Sequence, residues 1–232
     1  GNLSDMSPRA IETLRSVQLI AAEDTRVTMK LLNAFDISTP LTSCHEHNER
    51  SKAVQIAERM LAENIDVAVT TDAGTPCISD PGSVLVREAT ERGIPAVAVS
   101  GPTAMASALS VSGMDISEFT FYGFLPRQKN ELREKLTDMA RHSKIAVVHE
   151  SPHRVIELLQ QVQAVLPHTF VSASCDLTKK FEQTLRGPVE QVLRLLEENP
   201  KADKGEYCLC LRWAEEDIPA PETVREDISL EA

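Results

Sequence analysis

Residues 67–92, VAVTTDAGTPCISDPGSVLVREATER, hold the three parts of a βα unit in one run. VAVTT is a short apolar, β-branched stretch of the kind that forms a buried strand. DAGTPCISDPG follows as an eleven-residue loop punctuated by Gly74, Pro76, Pro81 and Gly82. SVLVREATER then returns apolar residues at helical spacing. The same rhythm extends in both directions. Upstream, Ser7-Pro8 starts a helix over RAIETLRSV, QLIAA is a strand, and NERSKAVQIAERMLAEN is an amphipathic helix. Downstream, PAVAVS reads as a strand, SGPT as a second loop whose Thr103 can cap the helix opening at Ala104, and AMASALSVSG as that helix. Strands alternating with helices imply a mostly parallel sheet covered on both faces.

After Gly113 the pattern changes. FTFYGFLP, KIAVVHE, TFVSAS and EYCLCLRW read as strands, separated by helices over KNELREKLTDMARH, PHRVIELLQQVQAVL and PVEQVLRLLEEN. The expected fold is therefore α/β in two domains, 1–117 and 118–214, with a mostly parallel first sheet and a mixed second sheet. The segment 215–232 is Pro-rich and then acidic, and is expected to be extended. A βα fold normally places a strand ahead of a loop such as GNLSD, so a strand preceding Gly1 is expected and absent from the sequence.

A chain of 232 residues can bury a substantial core, and no apolar run is long enough to span a membrane. The start lacks the basic and apolar regions of a secretory signal. Five cysteines occur without a CxxC, which points to free thiols and a cytoplasmic setting. Cys208 and Cys210 alternate along a strand, so they share a face and pack rather than bind metal. The net charge of −11 favours a small-molecule substrate over nucleic acid. That acidity gathers near the C-terminus, however, whereas Arg127, Lys129, Arg133, Lys135, Lys179, Lys180 and Arg186 form basic groups elsewhere.

Ligands of open parallel sheets bind beyond the carboxyl ends of the strands. Neither DAGTPCISDPG nor SGPTA contains a lysine or arginine, and GxxxxGK[ST] and GxGxxG are both missing, so phosphate cradling is not their task. Small residues, backbone donors and carboxylates suit a ligand that is itself cationic, and the sulfonium of S-adenosylmethionine is one such ligand. Four polar clusters also end strands: AAEDTR (Glu23, Asp24, Arg26), SCHEHNER (His45, Glu46, His47, Asn48, Glu49), ESPHR (Glu150, His153, Arg154) and DLTKKFE (Asp176, Thr178, Lys179, Glu182). Capping and ion pairing explain any one of them. His45 and His47 alternate in an extended segment, which argues against a metal site.

In sequence order, GNLSDMSPRAIETL, IAAEDTR, HEHNE, DAGTPCISDPG, SGPTAMASALSVSG, FYGFLP, ESPHR, DLTKKFE and KGEYCLCL resemble the 16S rRNA (cytidine-2′-O)-methyltransferases of the tetrapyrrole-methylase superfamily, across residues 1 to about 213. The resemblance implies a two-domain homodimer that binds S-adenosylmethionine and acts on 16S rRNA of the small ribosomal subunit. It implies cofactor contacts from Gly1 and Leu3, from Asp72, Gly74, Thr75, Pro76 and Ile78, and from Gly101, Thr103 and Ala104. The chain departs from the family pattern at Cys175-Asp176, where Arg-Glu is usual, and at His149, where Tyr is usual.

Methylation of a ribose hydroxyl is an in-line displacement in which the hydroxyl loses its proton. Lys179 is the candidate cation or base, and Glu23, Asp24 and Glu46 are candidates for orienting the hydroxyl or accepting its proton. Arg26, His45, Arg154 and Lys180 are the expected RNA contacts. Two other readings stay open: a small-molecule methylase of the same fold, and a non-catalytic binding protein.

Overall fold

Short apolar strands and amphipathic helices of this kind bury themselves by stacking helices on sheet faces, and the computed structural model, described for residues 1–218, shows how. The chain divides into two compact units. The first holds Gly1–Ser110 together with Asp176–Glu182, and the second holds Val111–Cys175 and the chain from Gln183 onward. The seven residues Asp176–Glu182 thus belong with the N-terminal unit although they lie far along the chain.

In the first unit, Ser7 caps helix α1 (Pro8–Ser16) by accepting from the Ala10 N–H at 3.1 Å, with proline at the first helical position. Strand β1 (Leu19–Ala22) leads to α2 (Thr25–Ala34), β2 (Leu41–Ser43), α3 (Glu49–Glu63), β3 (Val67–Thr70), α4 (Ser83–Glu91) and α5 (Ala104–Ser110). The three strands form a parallel sheet in the order β2-β1-β3. Alternation along the strands decides the two faces. Ile20 and Ala68 pack with Leu14 of α1 and Leu32 of α2. Ala21, Val67 and Val69 pack with Ala53 and Ile56 of α3 and Leu85 of α4.

In the second unit, β4 (Thr120–Phe124), α6 (Lys129–His142), β5 (Ile145–Glu150), α7 (Val155–Val165), β6 (Phe170–Cys175), β7 (Gln183–Pro188), α8 (Val189–Glu197) and β8 (Tyr207–Arg212) follow. The sheet order is β4-β5-β8-β6-β7, and only β4 and β5 run parallel, which makes the sheet mixed as expected. One face carries Ala146, Val148, Val171, Ala173, Leu209 and Leu211 against the apolar sides of α6, α7 and α8. Cys208 and Cys210 take the opposite face of β8, and desolvation pushes both thiols up to about 12, which leaves them inert packing groups.

The structure corrects several expectations. PAVAVS forms no strand; Val97 is 78% exposed, and the carbonyls of Ala98 and Ser100 accept from the Arg9 and Ser7 side chains instead of from a sheet neighbour. An apolar run becomes a strand only when its backbone groups find a ladder. Helix α2 and strands β2 and β7 carry no expectation from the sequence. Of the segment expected to be extended from residue 215, Glu215–Asp217 forms a 3-10 turn instead. Asp217 accepts from the backbone N–H of His168 at 2.7 Å and meets its ring Nδ1 at 2.8 Å, which fixes that turn. The part of that expectation beyond residue 218 lies outside the described residues.

Candidate functional site

Parallel strands bring their carboxyl ends to one edge, and in the first unit that edge gathers the polar clusters. Glu23 and Asp24 follow β1, His45 follows β2 and Asp72 follows β3. Their backbones are cross-linked by side chains. The Asp72 N–H donates to Glu23 Oε2 at 3.1 Å, and the Asp24 N–H donates to Asp72 Oδ1 at 3.2 Å. Glu23, Asp24, Arg26, His45, His47 and Asp72 line an open depression of about 410 Å³. Glu46 is exposed and lies outside that lining.

Asp24 is the N-cap of α2, accepting from the Arg26 N–H at 2.8 Å, and its other oxygen meets the Arg26 guanidinium at 2.6 Å. The hydrogen bonds from Arg26 hold the Asp24 carboxyl down at about 2. A carboxylate held that low is a poor proton acceptor, so Asp24 suits an orienting role. The Arg26 side chain is 87% exposed and keeps its outer edge toward solvent. His45 is positioned by its own N–H donating to Asn48 Oδ1 at 2.9 Å, and its ring Nδ1 is buried.

Glu49, of the SCHEHNER cluster, is buried and lies outside the lining of the depression. Its Oε1 accepts from the N–H groups of Gly82 at 2.7 Å and Val84 at 3.1 Å, so it caps α4 and anchors the end of the 72–82 loop. That loop is held in tight turns: Gly74, Cys77, Ser79 and Gly82 all have positive φ. Gly74 has a φ of +77°, which favours glycine, and a Cβ there would have to displace the Asp80 carboxylate, whose Oδ2 would lie 2.9 Å away. Ile78 is left exposed on the loop. In the second loop, Thr103 Oγ1 accepts from the Ala106 N–H at 3.1 Å and caps α5, as its position before Ala104 predicts. A Cβ at Gly101 would meet nothing, so the space before its backbone is open.

Lys179 and Lys180 enter the same unit from the 176–182 segment. With Thr178 and Gly1, Asn2 and Leu3 they line a second depression of about 560 Å³. Asn2 Nδ2 donates to the Thr178 carbonyl at 3.1 Å, and Lys179 Nζ pairs with Asp176 at 2.9 Å. No spacing rule could connect residue 2 to residue 178; only folding does.

Arg154 belongs to the second unit. Its Nη2 donates to the Pro126 carbonyl at 3.1 Å and its Nη1 lies 3.5 Å from Glu150, whose side chain is 1% exposed and whose carboxyl is pushed up by burial. Among the described residues, no group of three His, Cys, Asp or Glu side chains converges as a metal site would require, and no helix is long and apolar enough to cross a membrane.

Residues 1–193 match the Tetrapyrrole (Corrin/Porphyrin) Methylases. The chain is 40% identical over 229 residues to the ribosomal RNA small subunit methyltransferase I of Halalkalibacterium halodurans, covering 99% of this chain and 78% of that protein. It is 39% identical over 224 residues to the protein of that name from Escherichia coli O157:H7, covering 95% and 78%. Among solved structures it resembles the methyltransferase CobJ, with a TM-score of 0.65, 15% identity and 92% and 90% of the two chains covered. A diphthine synthase gives a TM-score of 0.67 at 10% identity, with 90% and 85% covered; at these identities the fold alone is shared. A match over 99% of this chain at 40% identity, with the family model over residues 1–193, places this chain in the ribosomal RNA small subunit methyltransferase I family of the tetrapyrrole methylases.

Proposed function

We propose that this chain transfers a methyl group from S-adenosylmethionine to the 2′-hydroxyl of a cytidine in 16S rRNA of the small ribosomal subunit, acting as a homodimer. The observation that carries the reading is the 40% identity to a small-subunit methyltransferase over nearly the whole chain. The site geometry supports the chemistry. The 72–82 loop and residues 100–104 contain carboxylates, open backbone at Gly101 and the exposed Ile78 side chain, but no lysine or arginine. That donor set fits an uncharged adenosine and a cationic sulfonium and disfavours a nucleotide phosphate. Gly1, Leu3, Asp72, Gly74, Thr75, Pro76, Ile78, Gly101, Thr103 and Ala104 are the residues that would hold it. When bound, S-adenosylmethionine supplies an electrophilic methyl group.

Lys179, steadied by Asp176, stabilises the negative charge that develops as the ribose hydroxyl loses its proton. Glu23 is the carboxylate left to accept that proton, Asp24 orients the hydroxyl, and Arg26, His45, Arg154 and Lys180 contact the RNA. Glu46, exposed and outside the lined depression, is the weakest of the carboxylate candidates. The net charge of −11 and the fold shared with corrin methylases favour a small-molecule substrate as the second reading.

The test is methyl transfer to small subunits lacking the modification, with a precorrin as the competing acceptor. Labelled methyl on the subunit RNA, lost in Lys179→Ala, supports the reading. Transfer to the precorrin alone replaces it with the second. Calorimetry with S-adenosylmethionine alone separates a failed cofactor site, which gives no heat, from a failed acceptor.

A further inference from the structure

The segment Asp176–Glu182 is more ordered than a connection between two strands needs to be. Asp176 and Thr178 both adopt left-handed backbone, with φ of 51° and 66°, a conformation that costs any residue with a Cβ. Local bonds hold it there. The Lys179 N–H donates to the Asp176 carbonyl at 2.9 Å, the Glu182 N–H to the Lys179 carbonyl at 3.1 Å, and the Thr178 N–H to Glu182 Oε2 at 2.5 Å. Asn2 ties the loop to the start of the chain. What this rigid loop presents is an aromatic ring. Phe181 is 74% exposed, more than any other aromatic among the described large hydrophobic residues, and Lys180 Nζ lies 5.5 Å from its ring centroid. The pair follows directly on Lys179, and its Lys180 lines the second depression together with Lys179.

We propose that Phe181 is a stacking platform for a nucleobase of the RNA substrate next to the methylated nucleotide, with Lys180 engaging the adjoining phosphate. The proposal rests on the reading of this chain as an RNA methyltransferase. A nucleotide must be splayed from its stack to reach an enzymatic site, and a neighbouring base then needs a new planar surface. An exposed phenyl ring beside a lysine meets both needs, because every base has a π-face and every linkage has a phosphate. The strained loop holds the ring in place before RNA arrives, so little ordering remains to be done on binding. This also lets an acidic protein engage RNA, because stacking does not depend on net charge.

The experiment uses the full chain with three substitutions at this exposed position. With undermethylated small subunits, Phe181→Ala and Phe181→Leu are expected to raise KM by about tenfold or more, the loss of one stacked base. Both should keep kcat and S-adenosylmethionine affinity near those of the parent. Phe181→Trp should restore KM, and its indole emission should fall on titration with oligocytidylate; Trp213 is 7% exposed and supplies a steady background. A Phe181→Leu protein with the parent KM would overturn the proposal, because leucine keeps the apolar bulk and loses the planar face. An indole that responds to protein concentration but not to RNA also overturns it, and assigns the ring to a contact with a second copy of the chain. If the parent methylates no subunit, the RNA-methyltransferase reading has failed, and the fluorescence titration still decides the platform: quenching supports it and a flat titration overturns it.

Discussion

The two units use the same polypeptide chemistry to different ends. The second has a five-stranded sheet with most strands six residues long, and helices α6, α7 and α8 bury one large continuous apolar cluster on it. The first has three parallel strands of three or four residues, with two small clusters on opposite faces. Strain is divided the other way. All six described non-glycine residues with positive φ, namely Asp36, Asn64, Cys77, Ser79, Asp176 and Thr178, belong to the first unit. Two of them lie in the 72–82 loop and two in the 176–182 segment that carries Lys179. Unfavourable backbone persists where surrounding bonds over-determine it, and it concentrates where loops hold reactive groups. One unit supplies packing, and the other supplies a held, polar edge.

This division can be broken at its strongest point. Leu209, fully buried in the large cluster, should cost about 4 kcal/mol on replacement by alanine, whereas Leu32 of the first unit should cost about 2–3 kcal/mol. A larger cluster closes less readily around a cavity. Denaturant unfolding of Leu209→Ala and Leu32→Ala measures both, and equal losses would abolish the distinction.

A second, smaller effect sharpens it. Glu49→Ala removes the acceptor shared by the N–H groups of Gly82 and Val84. About 1–3 kcal/mol of stability should go, as for buried donors left without a partner. On the proposed function, the same change should also weaken S-adenosylmethionine binding by slackening the 72–82 loop. Thermal melts and calorimetry on one preparation test both; an unchanged cofactor affinity would separate the cap from the site.

The smallest effects lie at the exposed clips and run in opposite directions with pH. Hydrogen bonds from Arg26 depress Asp24 from 3.8 to about 2, so its contribution is present above pH 3.8 and is lost as pH falls through about 2. His168 is raised above 6.5 by its hydrogen bond to Asp217, so its contribution is present below pH 6.5 and fades as pH rises through the elevated value. Acid should therefore release the cap of α2 in the first unit, and alkali the Asp217 turn in the second. NMR titration of the Asp24 carboxyl and the His168 ring follows each, and Asp24→Asn and His168→Gln should abolish the matching transition.

Much of this was legible in the chain. Helical periodicity located α1, α3, α4, α6, α7 and α8, because a core-facing stripe must recur every three or four residues whatever it packs on. Pro8 after Ser7 and Thr103 before Ala104 announced their caps for an equally local reason. The loop 72–82 was visible from its glycines and prolines. Other elements left no such mark. LTS is too short for a period, QTLRGP carries glycine and proline and is a strand by virtue of pairing with β6, and TRVTMKLLNA hid behind the charges of its own cap. PAVAVS had the right composition and no ladder to join.

The sequence by itself determined the α/β class, the two unlike sheets, the loops at the strand ends and the family, because each depends on local pattern or on residues in fixed order. Tertiary structure alone decided that Glu49 is a buried cap, that Asp24 is bound to Arg26 rather than poised as a base, and that Lys179, Lys180 and Phe181 join a unit whose other residues end at Ser110. Hydrogen bonds between residues far apart in the chain, such as Asn2 to Thr178, depend on the closure of long loops, and no local periodicity encodes that closure.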